Sequence, residues 1–327
     1  MGMFLVRRLI NYVVLIFLAS SFAYLLAATT LDPRSNFEQL QPKPSQEAIE
    51  RELDKLNLND NTPLAQRYAT WVSGVARGDF GQTVQGGSVN ENVARKAGVT
   101  LRLIVAGTII GCTVGVAMGA YAAVRQYRGF DRVSTFLAFF VLAIPTVVIA
   151  VILQVLAVQV NEWVGFTLFQ YGGEYTAGFE GGFWATFGNR VQHAILPTAT
   201  LALSLFAAFS RYQRNMMLDV LGADFVRTAM AKGLTRRAAL FKHALRTAMI
   251  PTITYFTFTF GILLAGATFT EKIYGWHGMG AWVVDSIVTN DVNAVAAVTC
   301  FMAFCVMAAS FFSDILYAWL DPRVRVS

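Results

Sequence analysis

Asp224-Phe-Val-Arg-Thr-Ala-Met-Ala-Lys-Gly233, running on through Leu-Thr-Arg-Arg237, is a short basic stretch between two long apolar segments. It and its flanks carry Arg211, Arg214, Arg227, Lys232, Arg236, Arg237, Lys242 and Arg246 against only Asp219 and Asp224. A short loop this basic, next to apolar spans, stays on the cytoplasmic side of a membrane. Its local chemistry predicts two helices with a break. Asp224 is the expected N-cap, Gly233 a left-handed residue just past the C-terminus, and Thr235 the cap of the second helix. The first helix, 225–232, has about two turns, and isolated helices below about 12 residues are marginal in water. A small basic helix at a membrane face needs a surface to lean on. It reads as a docking element.

Composition points to the same class. The chain has 327 residues, 55% of them hydrophobic and 14% charged, with a mean hydropathy of +0.50. That is too apolar for a soluble protein of this size. A membrane span needs about 20 mostly apolar residues. Six such stretches occur, at roughly 9–28, 99–124, 133–160, 191–210, 248–270 and 292–319. The expected architecture is all-α: a polytopic membrane protein with six transmembrane helices and a small helical extracytoplasmic subdomain. Arg7 and Arg8 precede the first run as they would in a signal peptide. That run is longer than a removable apolar region of about 7–15 residues, and no small-x-small site follows it, so it reads as a retained helix. The expected division is a first transmembrane helix at 1–28 and an extracytoplasmic subdomain at 29–98. A five-helix core at 99–319 follows, containing the basic loop 211–247, and then a cytoplasmic tail at 320–327.

Charge sets the expected orientation. With the N-terminus inside, the inner segments hold Arg7, Arg8, Arg125, Arg128, Arg132, the eight basic residues of the loop, Arg323 and Arg325. Against them stand Asp131, Asp219, Asp224 and Asp321. The segment 29–98 nearly balances, with eight basic residues and nine acids. The net charge of +6 is then topological and no sign of a nucleic-acid partner. Both termini are expected in the cytoplasm.

Pro33, Pro42 and Pro44 make an irregular lead-in to segment 29–98, and Ser45 caps a helix reaching about Leu56. Ile49, Leu53 and Leu56 recur at helical spacing. A second amphipathic helix is expected over 63–75, with Leu64, Tyr68, Trp71 and Val72 on one side, before Gly-Asp-Phe-Gly81 turns the chain. Such a segment is too small for a large core of its own. It reads equally as a cap on the bundle and as a landing surface for a soluble binding protein.

In the second span Gly107, Gly111, Gly115 and Gly119 recur every four residues, a repeated small-x-x-x-small face. Its plain reading is tight helix packing, and its functional one a smooth face that slides in gating. Pro145 and Pro197 are expected to interrupt later spans and free backbone carbonyls, marking either a central cavity or simple packing bends. Cys112, Cys300 and Cys305 all fall within spans, where they read as packing residues. His193, His243 and His277 are scattered and suggest no metal site.

No Gly-x-x-x-x-Gly-Lys-Ser/Thr loop occurs in the sequence, so ATP binding has no visible seat in this chain. Acids are nearly absent from the spans, with Asp314 near the end of the last, which disfavours a proton-coupled secondary transporter. No nucleophile–base set supports an intramembrane enzyme. The energy source is expected in another subunit.

The basic loop resembles the cytoplasmic coupling loop of ABC importer permeases. Arg227-Thr-Ala-Met-Ala-Lys-Gly233 stands where that family has Glu-Ala-Ala, then variable residues, an acid and Gly. The Arg-Thr-Ala and Lys-Gly form resembles the branch importing dipeptides and oligopeptides. The likeness extends over nearly the whole chain. It includes Arg7-Arg8, Leu56-Asn-Leu-Asn-Asp-Asn-Thr-Pro-Leu64, Arg77-Gly-Asp-Phe-Gly81, the stretch 271–280, and Asp314-Ile-Leu-Tyr-Ala-Trp-Leu-Asp-Pro-Arg323. Two departures are His277, where the family usually has Pro, and Asp291-Val-Asn293, in place of Asp-Tyr-Pro. The resemblance implies a type I ABC importer permease of a bacterial plasma membrane, with peptides as cargo and nickel or another small solute as the alternative. It implies a second homologous permease, two ATP-binding subunits holding ATP and Mg, and an extracytoplasmic peptide-binding protein; no cofactor belongs to this chain. ATPase coupling would fall to Asp224, Phe225, Arg227, Thr228, Ala229, Lys232 and Gly233. Phe225, Val226, Ala229 and Met230 would form the apolar side that enters the ATPase, with Arg227, Thr228 and Lys232 facing its polar groups.

Overall fold

The computed structural model describes residues 2–320, and the expected tail 320–327 lies, past Leu320, outside them. Thirteen α-helices and one π-helical turn make up the described chain. They are α1 Gly2–Thr30, α2 Arg34–Glu38, α3 Gln46–Lys55, α4 Leu64–Ala76, α5 Val89–Val124, α6 Gly129–Ala143 and α7 Thr146–Val164. After these come α8 Phe183–Leu221, α9 Asp224–Ala231, α10 Arg236–Ala239, the π turn Leu240–Leu245, α11 Arg246–Ile273, α12 Met279–Val288 and α13 Val292–Leu320. Among the described residues, five helices are long and apolar enough to cross a membrane: α1, α5, α7, α8 and α13. The expected span 248–270 forms part of α11, whose 28 residues reach about 42 Å at 1.5 Å per residue, more than a hydrocarbon core of about 30 Å. Contacts divide the chain into two units, 1–100 with 277–308, and 101–276 with 309–327.

In the first unit the segment 29–98 does not form a core alone. Ile49, Leu53, Leu56, Leu58 and Trp71 are buried together with Tyr24 and Ala27 of α1 and Val292 and Ala296 of α13. Each buried Leu or Ile of this set contributes about 1.5–3 kcal/mol when removed from water, which helices as short as α3 and α4 need. Ser45 caps α3 by accepting from the Ala48 amide at 3.3 Å. At its other end Asn57 takes a left-handed conformation, φ +57°, and the Leu58 amide reaches back to the Leu53 carbonyl at 2.8 Å. Trp71 stacks on Tyr24 with ring centroids 4.6 Å apart, and the Tyr68 hydroxyl donates to Ser21 at 2.8 Å.

The departure at Asp291-Val-Asn293 has a structural role here. Asp291 accepts from the amides of Val84 at 2.9 Å and Ala294 at 3.0 Å. Asn293 donates to the carbonyls of Leu56 and Gln82, each at 3.0 Å, and the Asn290 side chain accepts from the Asp32 amide at 3.2 Å. Buried side chains of this kind pin loop carbonyls and amides that would otherwise lose their solvent partners. Asn290, Asp291 and Asn293 thus tie the segment to the start of α13.

In the second unit α8 is the hub, with α5, α6, α7 and α11 packed around it. The glycine row of α5 lies against it. A Cβ on Gly107 would sit 2.9 Å from the Leu201 Cβ, on Gly111 2.7 Å from the Ala202 carbonyl oxygen, on Gly115 2.8 Å from Phe206 O, and on Gly119 closest of all, against Ser210 O. Lipid gives little hydrophobic push between helices, so backbone closeness supplies the dispersion contact. Of the two prolines, only one departs from expectation. Pro145 does break the expected span 133–160 into α6 and α7, standing as N-cap of α7. Pro197 interrupts nothing: it is buried inside a continuous 39-residue α8. The missing Pro amide costs one hydrogen bond, while buried Leu196, Thr198, Thr200 and Leu201 around it hold the helix through the gap.

His193 also sits in α8 and is buried. Its Nδ1 lies 2.9 Å from Gly172 O and 3.0 Å from Gly173 O, and its Nε2 3.1 Å from the Thr176 hydroxyl. It fastens the 165–182 loop. Trp163, Phe166, Tyr175, Phe183 and Trp184 around that loop are exposed, as aromatic anchors at a membrane–water boundary are.

Gly119→Ala should destabilise the purified protein by about 1–3 kcal/mol, because the new methyl meets backbone that cannot rotate away. Gly188→Ala, with nothing within 4 Å of its Cβ position, should be neutral or stabilising by up to about 1 kcal/mol. Thermal unfolding in detergent compares the two. Equal melting temperatures would contradict the close α5–α8 approach.

Candidate functional site

The basic stretch forms α9, a turn, and a second helix that begins at α10 and continues through the π turn into α11. Ala223, and not Asp224, is the N-cap of α9. Asp224 is the first helical residue, where its charge complements the helix dipole without capping an amide. The C-terminal end is a Schellman motif. Gly233 has φ +93°, its amide donates to Met230 O at 3.0 Å, and the Leu234 amide donates to Ala229 O at 3.2 Å. These two bonds satisfy carbonyls that the last turn would leave open. The Thr235 hydroxyl then accepts from the Ala238 amide at 3.3 Å and starts α10.

What lets so short a helix persist is its inner face. Val226 is 1% exposed and Ala229 7%. They pack with Ala123 of α5, Met217 of α8, Ala239, Leu240 and Ala244 of the following turns, and Ala248 of α11, with Leu234 against the same cluster. This corrects one expectation. Val226 and Ala229 cannot belong to the apolar side that enters another protein, because the chain's own core already covers them. The outward face holds Phe225, 43% exposed, Met230, 37% exposed, and exposed Asp224, Arg227, Thr228 and Lys232. Apolar and basic residues thus share one face. Helical periodicity alone shows which residues lie together, and it does not show which side the chain covers.

Two further ties hold the base of α9. Asp131, in the first turn of α6 and ahead of the expected span, is 2% exposed. It accepts from Arg214 Nε at 2.5 Å and Nη2 at 2.9 Å, and from the Tyr127 amide at 2.8 Å. The side-chain bond from Arg214 is the main cause holding its carboxyl below the usual carboxylate range, with the Tyr127 amide adding to it and burial opposing. Gln213 is fully buried and accepts from Thr252 of α11 at 2.6 Å. Beside it Tyr212 stacks on Tyr255, with centroids 4.2 Å apart and planes at 10°. The last turns of α8 are therefore bonded to both α6 and α11.

Of the residues singled out in the sequence, Asp224, Phe225, Arg227, Thr228, Ala229, Lys232 and Gly233 come together on α9 and its cap. Gly119 joins them at one remove, its Cβ position being 3.0 Å from the Arg214 amide. Gly107, Gly111 and Gly115 lie farther along α5, and Pro145 and Pro197 are not part of the cluster beneath α9. In the sequence Asp131 and Arg214 stand out only as topological charges. The available signal was a lone acid among Arg125, Arg128 and Arg132, which in a basic segment is seldom left unpaired. The π turn left no mark in the residue pattern.

Arg214→Met should destabilise the protein by about 3 kcal/mol or more, since it leaves a buried carboxylate unpaired. Adding Asp131→Asn should recover part of the loss, and a double-mutant cycle by thermal unfolding measures the coupling. Simple additivity would remove the pair from this account. Because the folded pKa of Asp131 is depressed, its contribution is complete above the unfolded value of 3.8. It is lost as the pH falls through the lower folded value.

Comparison with known proteins bears on what this arrangement serves. Residues 115–326 match the family described as binding-protein-dependent transport system inner membrane component. The chain is 52% identical over 327 residues, the full length of both, to the oligopeptide transport system permease protein OppB of Mycobacterium tuberculosis (strain ATCC 25618 / H37Rv). It is 35% identical over 288 residues to AppB of Bacillus subtilis (strain 168), also an oligopeptide transport system permease protein, covering 88% of each chain. It is 33% identical over 276 residues to the dipeptide transport system permease protein DppB of Escherichia coli (strain K12), covering 80% of this chain and 81% of that one. With its long apolar helices and nearly all-helical fold, the chain belongs to the binding-protein-dependent transport system inner membrane components, as a polytopic permease of the type I ABC importer class.

Proposed function

We propose that this chain forms half of the translocation pathway of an ATP-driven peptide importer in a bacterial plasma membrane, with both termini in the cytoplasm. The names of its relatives support peptides as cargo. The observation that carries the mechanism is the seating of α9: buried on one side, basic and half-apolar on the other, and tied through its base to α5, α8 and α11. Phe225 and Met230 enter a cleft of an ATP-binding subunit. Arg227, Thr228 and Lys232 pair with polar groups at its rim, and Asp224 keeps its place at the positive end of the helix.

Because Val226 and Ala229 are buried against α5, α8 and α11, a push on α9 reaches the ends of those helices together. Closure of two ATP-binding subunits on ATP and Mg would draw two such helices toward each other and turn the pathway outward. One chain offers one such helix. A second, homologous permease supplies the other about a pseudo-two-fold axis, and an extracytoplasmic peptide-binding protein delivers cargo, with segment 29–98 as part of its landing surface.

Three measurements test this reading. Gly233→Val places a β-branched residue at φ +93°, a strain of order 1–2 kcal/mol; peptide uptake should fall sharply while membrane insertion persists. Gly233→Asn, which tolerates left-handed backbone, should retain most uptake. Normal uptake by a well-expressed Gly233→Val variant would remove the coupling role. Single cysteines at Glu47 and Lys232, in a background without Cys112, Cys300 and Cys305, should label from opposite sides of the membrane. Labelling of both in intact cells would overturn the orientation. Vesicles holding only this chain should not accumulate peptide, and accumulation driven by a proton gradient alone would restore the secondary-transporter reading.

A further inference from the structure

Beside the seat of α9 lies a cleft of about 1070 Å³ between α5 and the second helix of the loop. One wall is the last stretch of α5 with the residue after it, from Cys112 to Arg125, about 20 Å long at 1.5 Å per residue. The other wall is Leu240, Phe241, Leu245 and Met249. The π turn Leu240–Leu245 builds this second wall. Its wider repeat sets residues five apart over one another, so Leu240 and Leu245 line the same cleft. Phe241 is largely exposed there. Along α5 the lining includes Val116, Ala117 and Ala120, part of the apolar span.

The mouth is different in kind. Arg125, just past the end of α5, and Arg236 and Arg237, at the start of α10, line it together. None of the three forms an ion pair among the described residues. Arg125 is positioned in advance, its guanidinium carbon 4.9 Å from the centroid of the Tyr121 ring, which also lines the cleft. An apolar trough about 20 Å long, opening at three unpaired guanidiniums at the end of a span, matches one available class of molecule. The trough takes an acyl chain, for which half of a hydrocarbon core of about 30 Å is the available depth. The guanidiniums take a phosphate, which they bind with paired N–H donors. A soluble partner would meet the arginines but has nothing to place in the trough.

We propose that this cleft is a binding site for an anionic glycerophospholipid of the membrane leaflet on the side of the basic loop. Basic pockets between membrane helices are suited to such headgroups. The bound lipid links the end of α5 to α10 and the π turn, the same elements that seat α9. Its occupancy therefore stiffens the base of the docking helix. The inference uses the proposed cytoplasmic orientation only to name the leaflet. A reversed orientation would change the leaflet and leave the dependence on the three arginines intact, so the two readings fail separately.

The test uses the assembled importer in nanodiscs of phosphatidylcholine containing increasing phosphatidylglycerol. Wild-type complex should retain phosphatidylglycerol in native mass spectra and melt at higher temperature as its fraction rises. The Arg125→Gln/Arg236→Gln/Arg237→Gln variant should retain about tenfold less or lower still, with its melting temperature in phosphatidylcholine alone unchanged. Ala117→Phe, which fills the trough and spares the charges, should also lower retention. Free glycerol phosphate should not restore the thermal shift, because the acyl chain supplies part of the binding. Equal retention by wild type and the triple variant would overturn the proposal. So would full stabilisation by glycerol phosphate, or efficient cross-linking of Phe241→Cys to a companion permease helix lying in the trough.

Discussion

The close approach of α5 to α8 is the constraint on which the second unit depends. Four glycines in register bring the α5 backbone against Leu201, Ala202, Phe206 and Ser210, nearest at Gly119. In lipid, where apolar side chains gain little by leaving their solvent, two backbones in van der Waals contact are held by many small dispersion terms. A single methyl at Gly119 would move the helices apart at the end where α8 gives way to α9. Everything built at that end takes its position from this contact.

The buried ion pair is placed by the same contact. Gly119 faces the backbone of Ser210 and Arg214, and Arg214 turns its guanidinium onto Asp131 at the start of α6. Such a pair is poor evidence for stability in itself, since taking both charges out of water costs several kcal/mol. Its bidentate geometry does define direction, however. It fixes the turn after α5 to α8 about two helical turns before the end of α8, while the adjacent Gln213 and Tyr212 fix α8 to α11. Those bonds make the base of α9 a rigid junction of three helices, and a two-turn helix acts as a lever only when its base does not yield.

The two faces of α9 divide its tasks. Val226 and Ala229 supply the packing that a helix this short lacks on its own. Phe225, Arg227, Thr228, Met230 and Lys232 stay outside, so contact with another subunit need not disturb that packing. The first unit follows a comparable pattern. Its short helices α3 and α4 rely on Tyr24 of α1 and on Val292 and Ala296 of α13, with Asp291 and Asn293 bonding the loops between.

Much of this was legible in the residues because the rules involved are local. Apolar runs of about 20 residues mark spans, a glycine after a helix marks a left-handed cap, and Ser45 and Thr235 mark helix starts; each depends on neighbours within a few positions. Glycine at every fourth place marked one face of α5, though not the helix it meets. What only the tertiary structure decided is which side of each element the rest of the chain covers. Periodicity grouped Phe225 with Val226 and Ala229, but contacts from α5, α8 and α11, far away in sequence, buried two of the three. Pro145 and Pro197 are the same residue in similar runs, yet one breaks a span and the other lies within a helix, because only the second is enclosed by neighbours that hold the backbone where a hydrogen bond is missing. Asp131 and Arg214, 83 positions apart, looked like two surface charges until packing removed the water between them.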